Sequence, residues 1–143
     1  MIQQCVVDAS VGIKLFVKEP DSALADQLFS ALTESDTRFY VPDLFFVECG
    51  NILWKYVRHF GYEAGLARQD VKDMLQLALH VVSTADLLLP AFELAVQYDL
   101  TAYDACYVAL AQQLHLPLVT ADTPLVKKLQ GSNLDVRSLA ALA

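Results

Sequence analysis

The stretch Leu100-Thr101-Ala102-Tyr103-Asp104-Ala105-Cys106-Tyr107-Val108-Ala109-Leu110-Ala111 reads as a helix start followed by a helix that is apolar on nearly every side. After Asp104, the next strongly polar residues are Gln112 and Gln113. A helix of that kind belongs inside a domain rather than on its surface. Its first turn nonetheless carries a carboxylate, Asp104, where the buried part begins. Two readings stand side by side. Asp104, or Thr101 before it, caps the helix by accepting from free backbone N–H groups. Alternatively, Asp104 faces a cleft and holds a metal. The stretch by itself favours capping.

Downstream, Leu116-Pro117-Leu118-Val119-Thr120-Ala121 predicts a strand with Asp122 at its end. Pro124 then opens a short helix, Leu125 to Leu129, which Gly131 stops, and Val136 to Leu139 makes a last edge strand. Upstream, Leu88 to Tyr98 reads as a helix with Phe92, Leu94 and Ala95 inward. Val81-Val82-Ser83 is a very short strand or a connector. Glu63 to about His80 is a helix with Leu66, Met74, Leu77 and Ala78 as core positions. A longer helix, Leu44 to about His59, is capped by Asp43 and closed by Gly61. On it Phe45, Glu48, Ile52 and Tyr56 share one face, so a carboxylate sits on a mostly aromatic and aliphatic stripe. Asn51 and Lys55, three and seven residues on, are placed to orient or neutralise Glu48.

The first third of the chain continues the alternation. Ile2 to Val7 predicts a buried strand that ends at Asp8, and Ser10 caps a short helix from Val11 to Val17. Asp21 starts a second helix with Leu24, Leu28 and Leu32 as its core stripe, and Arg38 to Val41 is a short strand.

The 143 residues suit one domain, 1–143, and a composition of 55% hydrophobic and 19% charged residues excludes disorder. No apolar run reaches membrane-spanning length, and Met1-Ile2-Gln3-Gln4 has no basic lead-in to an apolar segment. The expected location is cytoplasmic. Cys5, Cys49 and Cys106 form no CxxC pair, and His59, His80 and His115 lack ligand spacing, which argues against disulfides and zinc. A net charge of −7 discourages nucleic-acid binding as a first reading, although acids that bind divalent cations contribute to that deficit. The high apolar content points to a partner or self-association surface.

Helices alternating with short apolar strands predict an α/β sandwich around a mostly parallel sheet. In such sheets ligands gather beyond the carboxyl ends of the strands. Asp8 and Asp122 land there, and Glu48 and Asp104 lie in helices that can lean over the same edge. Four acids in one cleft repel one another, so protons or a cation must be present. Oxygen ligands without usable His or Cys indicate Mg²⁺ or Mn²⁺, ions that work chiefly on phosphates.

Four segments carry a family resemblance: Val6-Val7-Asp8-Ala9-Ser10-Val11, Phe46-Val47-Glu48-Cys49-Gly50-Asn51-Ile52-Leu53, the Leu100–Ala111 stretch, and Leu118-Val119-Thr120-Ala121-Asp122. In this order they resemble PIN-domain ribonucleases, and within them the VapC-type toxins of toxin–antitoxin systems. The resemblance places the family's acidic quartet on Asp8, Glu48, Asp104 and Asp122. It implies a three-layer α/β/α fold, Mg²⁺- or Mn²⁺-dependent RNA cleavage, a homodimer and neutralisation by a protein antitoxin. Ser10 and Thr120 match the family's polar residues beside the outer acids, Asn51 the polar position one turn after Glu48, and Lys14 a basic position suited to an RNA phosphate. Thr123-Pro124-Leu125 departs from the more charged segment of many relatives.

The implied mechanism is metal-assisted hydrolysis, with Asp8, Asp104 and Asp122 holding the ion directly or through water and Glu48 as a ligand or an orienter of the attacking water. Lys18, Lys55, Arg58, Lys127 and Lys128 are further candidate phosphate contacts. Apolar residues in the first two helices and in Leu44–His59 suit a groove for an amphipathic antitoxin helix. The alternative is a catalytically silent PIN-like module that binds RNA or protein. A haloacid-type phosphatase would require an aspartate where Ser10 stands, and the aspartate–lysine arrangement of a receiver domain is absent.

Overall fold

β1 (Gln4–Val7) buries Cys5, Val6 and Val7 completely, as a strand covered on both faces must. It lies at the centre of a five-stranded sheet, between β2 (Arg38–Pro42) and β4 (Leu118–Thr120), with β3 (His80–Val82) and β5 (Val136–Ser138) at the edges. The order is β3-β2-β1-β4-β5 and every pairing is parallel. Val6 stands opposite Tyr40 on one side and Leu118 on the other. These features come from a computed structural model that describes residues 2–143; Met1 lies outside the described residues.

The parallel strands require helical crossovers. These are α1 (Ala9–Gly12) and α2 (Ser22–Ser30), α3 (Leu44–His59) and α4 (Ala64–Leu75), α5 (Thr84–Tyr98) and α6 (Ala102–Leu114), and α7 (Thr123–Leu129). The first two connections step outward from β1 to β3, whereas α5 and α6 carry the chain back past β1 to β4. Right-handed crossovers therefore put α1–α4 on one face of the sheet and α5–α7 on the other, giving an α/β/α sandwich. The strand order reverses between β1 and β4, so the switch point opens at their carboxyl ends.

α6 is the buried central helix that its sequence indicates. Residues 105–111 are buried without a break, and the helix packs against β1, β2, β4 and α5. On the other face α1 lies close to α3. A Cβ on Gly12 would come within 2.5 Å of the Phe45 ring, so this approach requires glycine.

Several local expectations are corrected. Asp8, not Ser10, caps the first helix by accepting from the Ser10 N–H, and that helix runs only from Ala9 before passing into a 3₁₀ turn at Ile13–Leu15. Asp43 does not cap α3; its carboxylate accepts from the N–H (3.1 Å) and hydroxyl (2.5 Å) of Thr84 and ties α3 to the start of α5. Leu66 is exposed and Ala67 takes its core place on α4, while Phe92 points outward from α5, which buries Leu87, Ala91 and Leu94. The last part of the expected Glu63–His80 helix instead leads into β3. Among the described residues, no helix is long and apolar enough to cross a membrane.

Candidate active site

The carboxyl ends of β1 and β4 are joined by a small polar network. Asp8 is only 6% exposed, and both of its carboxylate oxygens accept from hydroxyl or amide donors. Its Oδ1 accepts from the Ser10 N–H (3.1 Å) and hydroxyl (2.5 Å), and its Oδ2 from the Thr120 hydroxyl (2.5 Å). Each hydroxyl also accepts from the exit of β4: Ser10 from Ala121 N–H at 2.9 Å, and Thr120 from Asp122 N–H at 3.0 Å. Ser10 and Thr120 therefore position Asp8 and the Asp122 backbone together. Asp122 itself caps α7 by accepting from the Leu125 N–H.

The two helical acids arrive from opposite layers. Thr101 is the cap of α6, accepting from the Asp104 N–H at 3.1 Å, so the helix start does not depend on the Asp104 carboxylate for its cap. Glu48, on α3, accepts at Oε1 from the Tyr107 hydroxyl at 2.5 Å. Tyr107 lies one turn beyond Asp104 and is almost fully buried. This bond crosses between the layers and fixes both helices at the cleft. In the sequence Tyr107 is one residue of an apolar helix. The available signal was its phenol, because a buried tyrosine hydroxyl needs a partner.

Asp8, Glu48, Asp104 and Asp122 line one open cleft of about 560 Å³, with Ser10, Asn51, Ile52, Lys55, Tyr103 and Tyr107. Its electrostatics disfavour negative charge. Burial pushes the Asp8 carboxyl up to about 6 despite the Ser10 and Thr120 hydrogen bonds, and the Asp104 charge adds to the rise. Burial and then Asp104 raise Glu48, against the Tyr107 hydrogen bond. Burial and then Asp122 raise Asp104, partly offset by Thr101 and Lys128. Asp104 is thus the group through which the other three acids interact.

Lys14 is not on this cleft. It is 9% exposed, with its ammonium 3.2 Å from the Glu19 carboxylate and 2.8 Å from the Pro20 carbonyl, and Glu19 also accepts from the Tyr56 hydroxyl. Lys14 ties the first helical segment to α3, and its expected contact with an RNA phosphate does not fit that position. Among the described residues, Lys55 is the one basic side chain lining the cleft.

Residues 5–128 match the PIN domain family. The chain is 39% identical over 130 residues to the ribonuclease VapC3 of Pyrobaculum aerophilum, spanning 86% of this chain and 92% of that protein. In structure it is similar to the crystal structure of PAE2754 from Pyrobaculum aerophilum, at a TM-score of 0.70 and 27% identity, covering 99% of this chain and 95% of that one. A toxin–antitoxin complex from Klebsiella pneumoniae contains the same fold at a TM-score of 0.67 and 19% identity, over 94% of this chain and 97% of that one. With the family match over residues 5–128 and the 39% identity over most of both chains, the chain belongs to the PIN-domain family, in its VapC branch.

Proposed function

We propose that this chain is a divalent-metal-dependent endoribonuclease, that residues 1–143 act as one catalytic domain, and that it is the toxin of a toxin–antitoxin pair. The observation that carries the reading is the gathering of Asp8, Glu48, Asp104 and Asp122 around one cleft at the switch point. The activity named for its 39%-identical relative supports it.

The residues present fit a hard cation. All four donors are carboxylates, and burial and mutual repulsion leave three of them averse to charge, an aversion that a cation relieves. Among the described residues, no three acidic, histidine or cysteine side chains form a ready-made cage. Mg²⁺ keeps several of its own waters and needs only one or two direct carboxylates, which suits acids spread round a cleft; Mn²⁺ is the second choice. Asp8, Asp104 and Asp122 would hold the ion directly or through its waters, and Glu48 would serve as a ligand or orient water. The chemistry a bound ion would supply is activation of the attacking water and compensation of charge on the phosphate. Ser10 and Thr120 keep Asp8 in one orientation, and Tyr107 holds Oε1 of Glu48 so that its other oxygen is available to a water. Asn51, one turn from Glu48, supplies an amide to the same wall.

The antitoxin is a proposed partner, as is a second copy of the chain. Apolar residues are exposed on α3–α5 rather than on the first two helices, which turn theirs inward. Trp54, Phe60 and Leu66 suit an amphipathic antitoxin helix. The proposed RNA substrate and antitoxin put the protein in the cytoplasm. The test is cleavage of RNA with Mg²⁺ or Mn²⁺ by the wild type and by Asp104→Asn. We expect a loss of at least a hundredfold in the variant; equal activity would exclude this assignment.

A further inference from the structure

A second cavity opens away from the acidic cleft and shares no lining residue with it. It measures about 490 Å³, a size that suits a small ligand, and lies between α2, the chain leading into β1, β5 and the closing 3₁₀ turn, Leu139–Leu142. Leu24, Gln27 and Leu28 stand three and four residues apart on α2, so all three face it. Leu28 is sunk in the core, whereas Leu24, Ile2 and Leu142 are only half-buried. The polar groups are the Gln27 amide and the Arg137 guanidinium. Asp135 takes one edge of that guanidinium, accepting from Nε and Nη2 at 2.9 Å each. Nη1 has no hydrogen-bond partner among the described residues, so a donor is left over on a group already held in place.

We propose that this cavity binds a small aliphatic monocarboxylate, its hydrocarbon chain against Leu24, Leu28 and Leu142 and its carboxylate on Arg137 Nη1 and the Gln27 amide. Both halves of the ligand are needed. A wholly apolar molecule would desolvate Arg137 and Gln27 with nothing in return, and a wholly polar anion would leave the half-buried aliphatic wall in water. One carboxylate matches the donors left over. A phosphate dianion brings more charge than a guanidinium already paired with Asp135 can offset, in a chain of net charge −7. The site stands apart from the ribonuclease reading and does not depend on it.

The test is isothermal titration calorimetry on the full chain with EDTA present, so that metal in the acidic cleft takes no part. The probes are acetate, hexanoate, octanoate and octanol. Octanoate should bind roughly tenfold more tightly than hexanoate, the worth of two buried methylenes, and acetate should give no heat of binding. Octanol should bind roughly tenfold more weakly than octanoate, and Arg137→Gln should remove that difference. Asp135→Asn frees the other edge of the guanidinium and removes a competing charge, so it should tighten octanoate by roughly threefold or more. Leu24→Trp, which fills the cavity from a half-buried position, should abolish binding and keep the wild-type circular dichroism spectrum. A wild type that does not bind octanoate overturns the proposal, as do equal affinities for hexanoate and octanoate or a preference over octanol that survives Arg137→Gln. Unchanged or weaker binding by Asp135→Asn overturns it too, whether or not Leu24→Trp folds. Absence of RNA cleavage by the wild type with Mn²⁺ counts against the ribonuclease reading alone, since these titrations stand without it.

Discussion

Asp8 occupies a site built to hold a carboxyl group still rather than to keep it charged. Its three donors favour the anion, yet burial outweighs them and lifts its pKa from 3.8 to about 6. A raised carboxyl binds its proton more tightly in the folded chain. Its contribution to stability is therefore complete below pH 3.8 and is lost as pH rises through about 6. The difference is about 3 kcal/mol at most, and the upward shifts of Glu48 and Asp104 act in the same direction. In EDTA the wild type should melt several degrees higher at pH 5 than at pH 7.5, and Mn²⁺ at pH 7.5 should recover much of the loss. Asp8→Asn resembles the protonated form. Without metal at pH 7.5 it should be at least as stable as the wild type, with a shallower pH dependence, while RNA cleavage is lost. Differential scanning calorimetry across this pH range checks the expectation; equal slopes in the two proteins would remove Asp8 as its source.

Among the elements, α1 and α3 set the distance between a strand-end acid and a helical one. Gly12 of α1 faces Phe45, which is fully buried and has nowhere to move. Gly12→Ala should therefore destabilise the protein by about 1–2 kcal/mol, because overpacking outweighs the helical gain of alanine. By displacing α3 it should also lower cleavage. Gly50 on α3 has open space where a Cβ would go, so Gly50→Ala should stabilise by about 0.5–1 kcal/mol. Urea denaturation of the pair reads the opposite signs; the same sign in both would contradict the packing account. At this scale the sequence was legible where apolar runs and acids coincide. The Leu44–His59 bounds, the continuous burial of 105–111 and the carboxyl-end positions of Asp8 and Asp122 follow from pattern. It was less legible where one side chain chooses between local and distant partners. Asp43 abandons its helix for Thr84 and Lys14 turns to Glu19, choices that tertiary geometry makes. Phe92 was misplaced because a helix as apolar as α5 has no polar face to indicate which side is inward, whereas on α4 the smaller Ala67 takes the core position beside Leu66.

For the whole molecule, that ambiguity of α5 has a use. One side buries Leu87, Ala91 and Leu94; the other leaves Leu88, Leu89, Phe92 and Val96 in solvent, with Ala85 on the same face and no charged residue among them. Asp86 and Glu93 lie to one flank by helical spacing. An apolar stripe of this kind on a surface helix marks a protein contact. A second copy is the partner that fits without further assumption, because two α5 helices packed antiparallel about a twofold axis would each offer the other the same four side chains. The interface has to be apolar in any case, since each chain carries a net charge of −7 and long-range repulsion opposes pairing. The wild type should therefore sediment at twice the chain mass at micromolar concentration. Phe92→Glu, at a position 57% exposed in the single chain, should sediment as a monomer and still fold, with a circular dichroism spectrum like that of the wild type. A monomeric wild type, or a Phe92→Glu protein that remains dimeric, would exclude α5 as the contact. The acidic cleft lies at the carboxyl edge of the sheet, and Phe92 is not among the residues lining it. RNA cleavage by a folded Phe92→Glu monomer would therefore report directly whether one copy of the chain suffices for catalysis or the second is required.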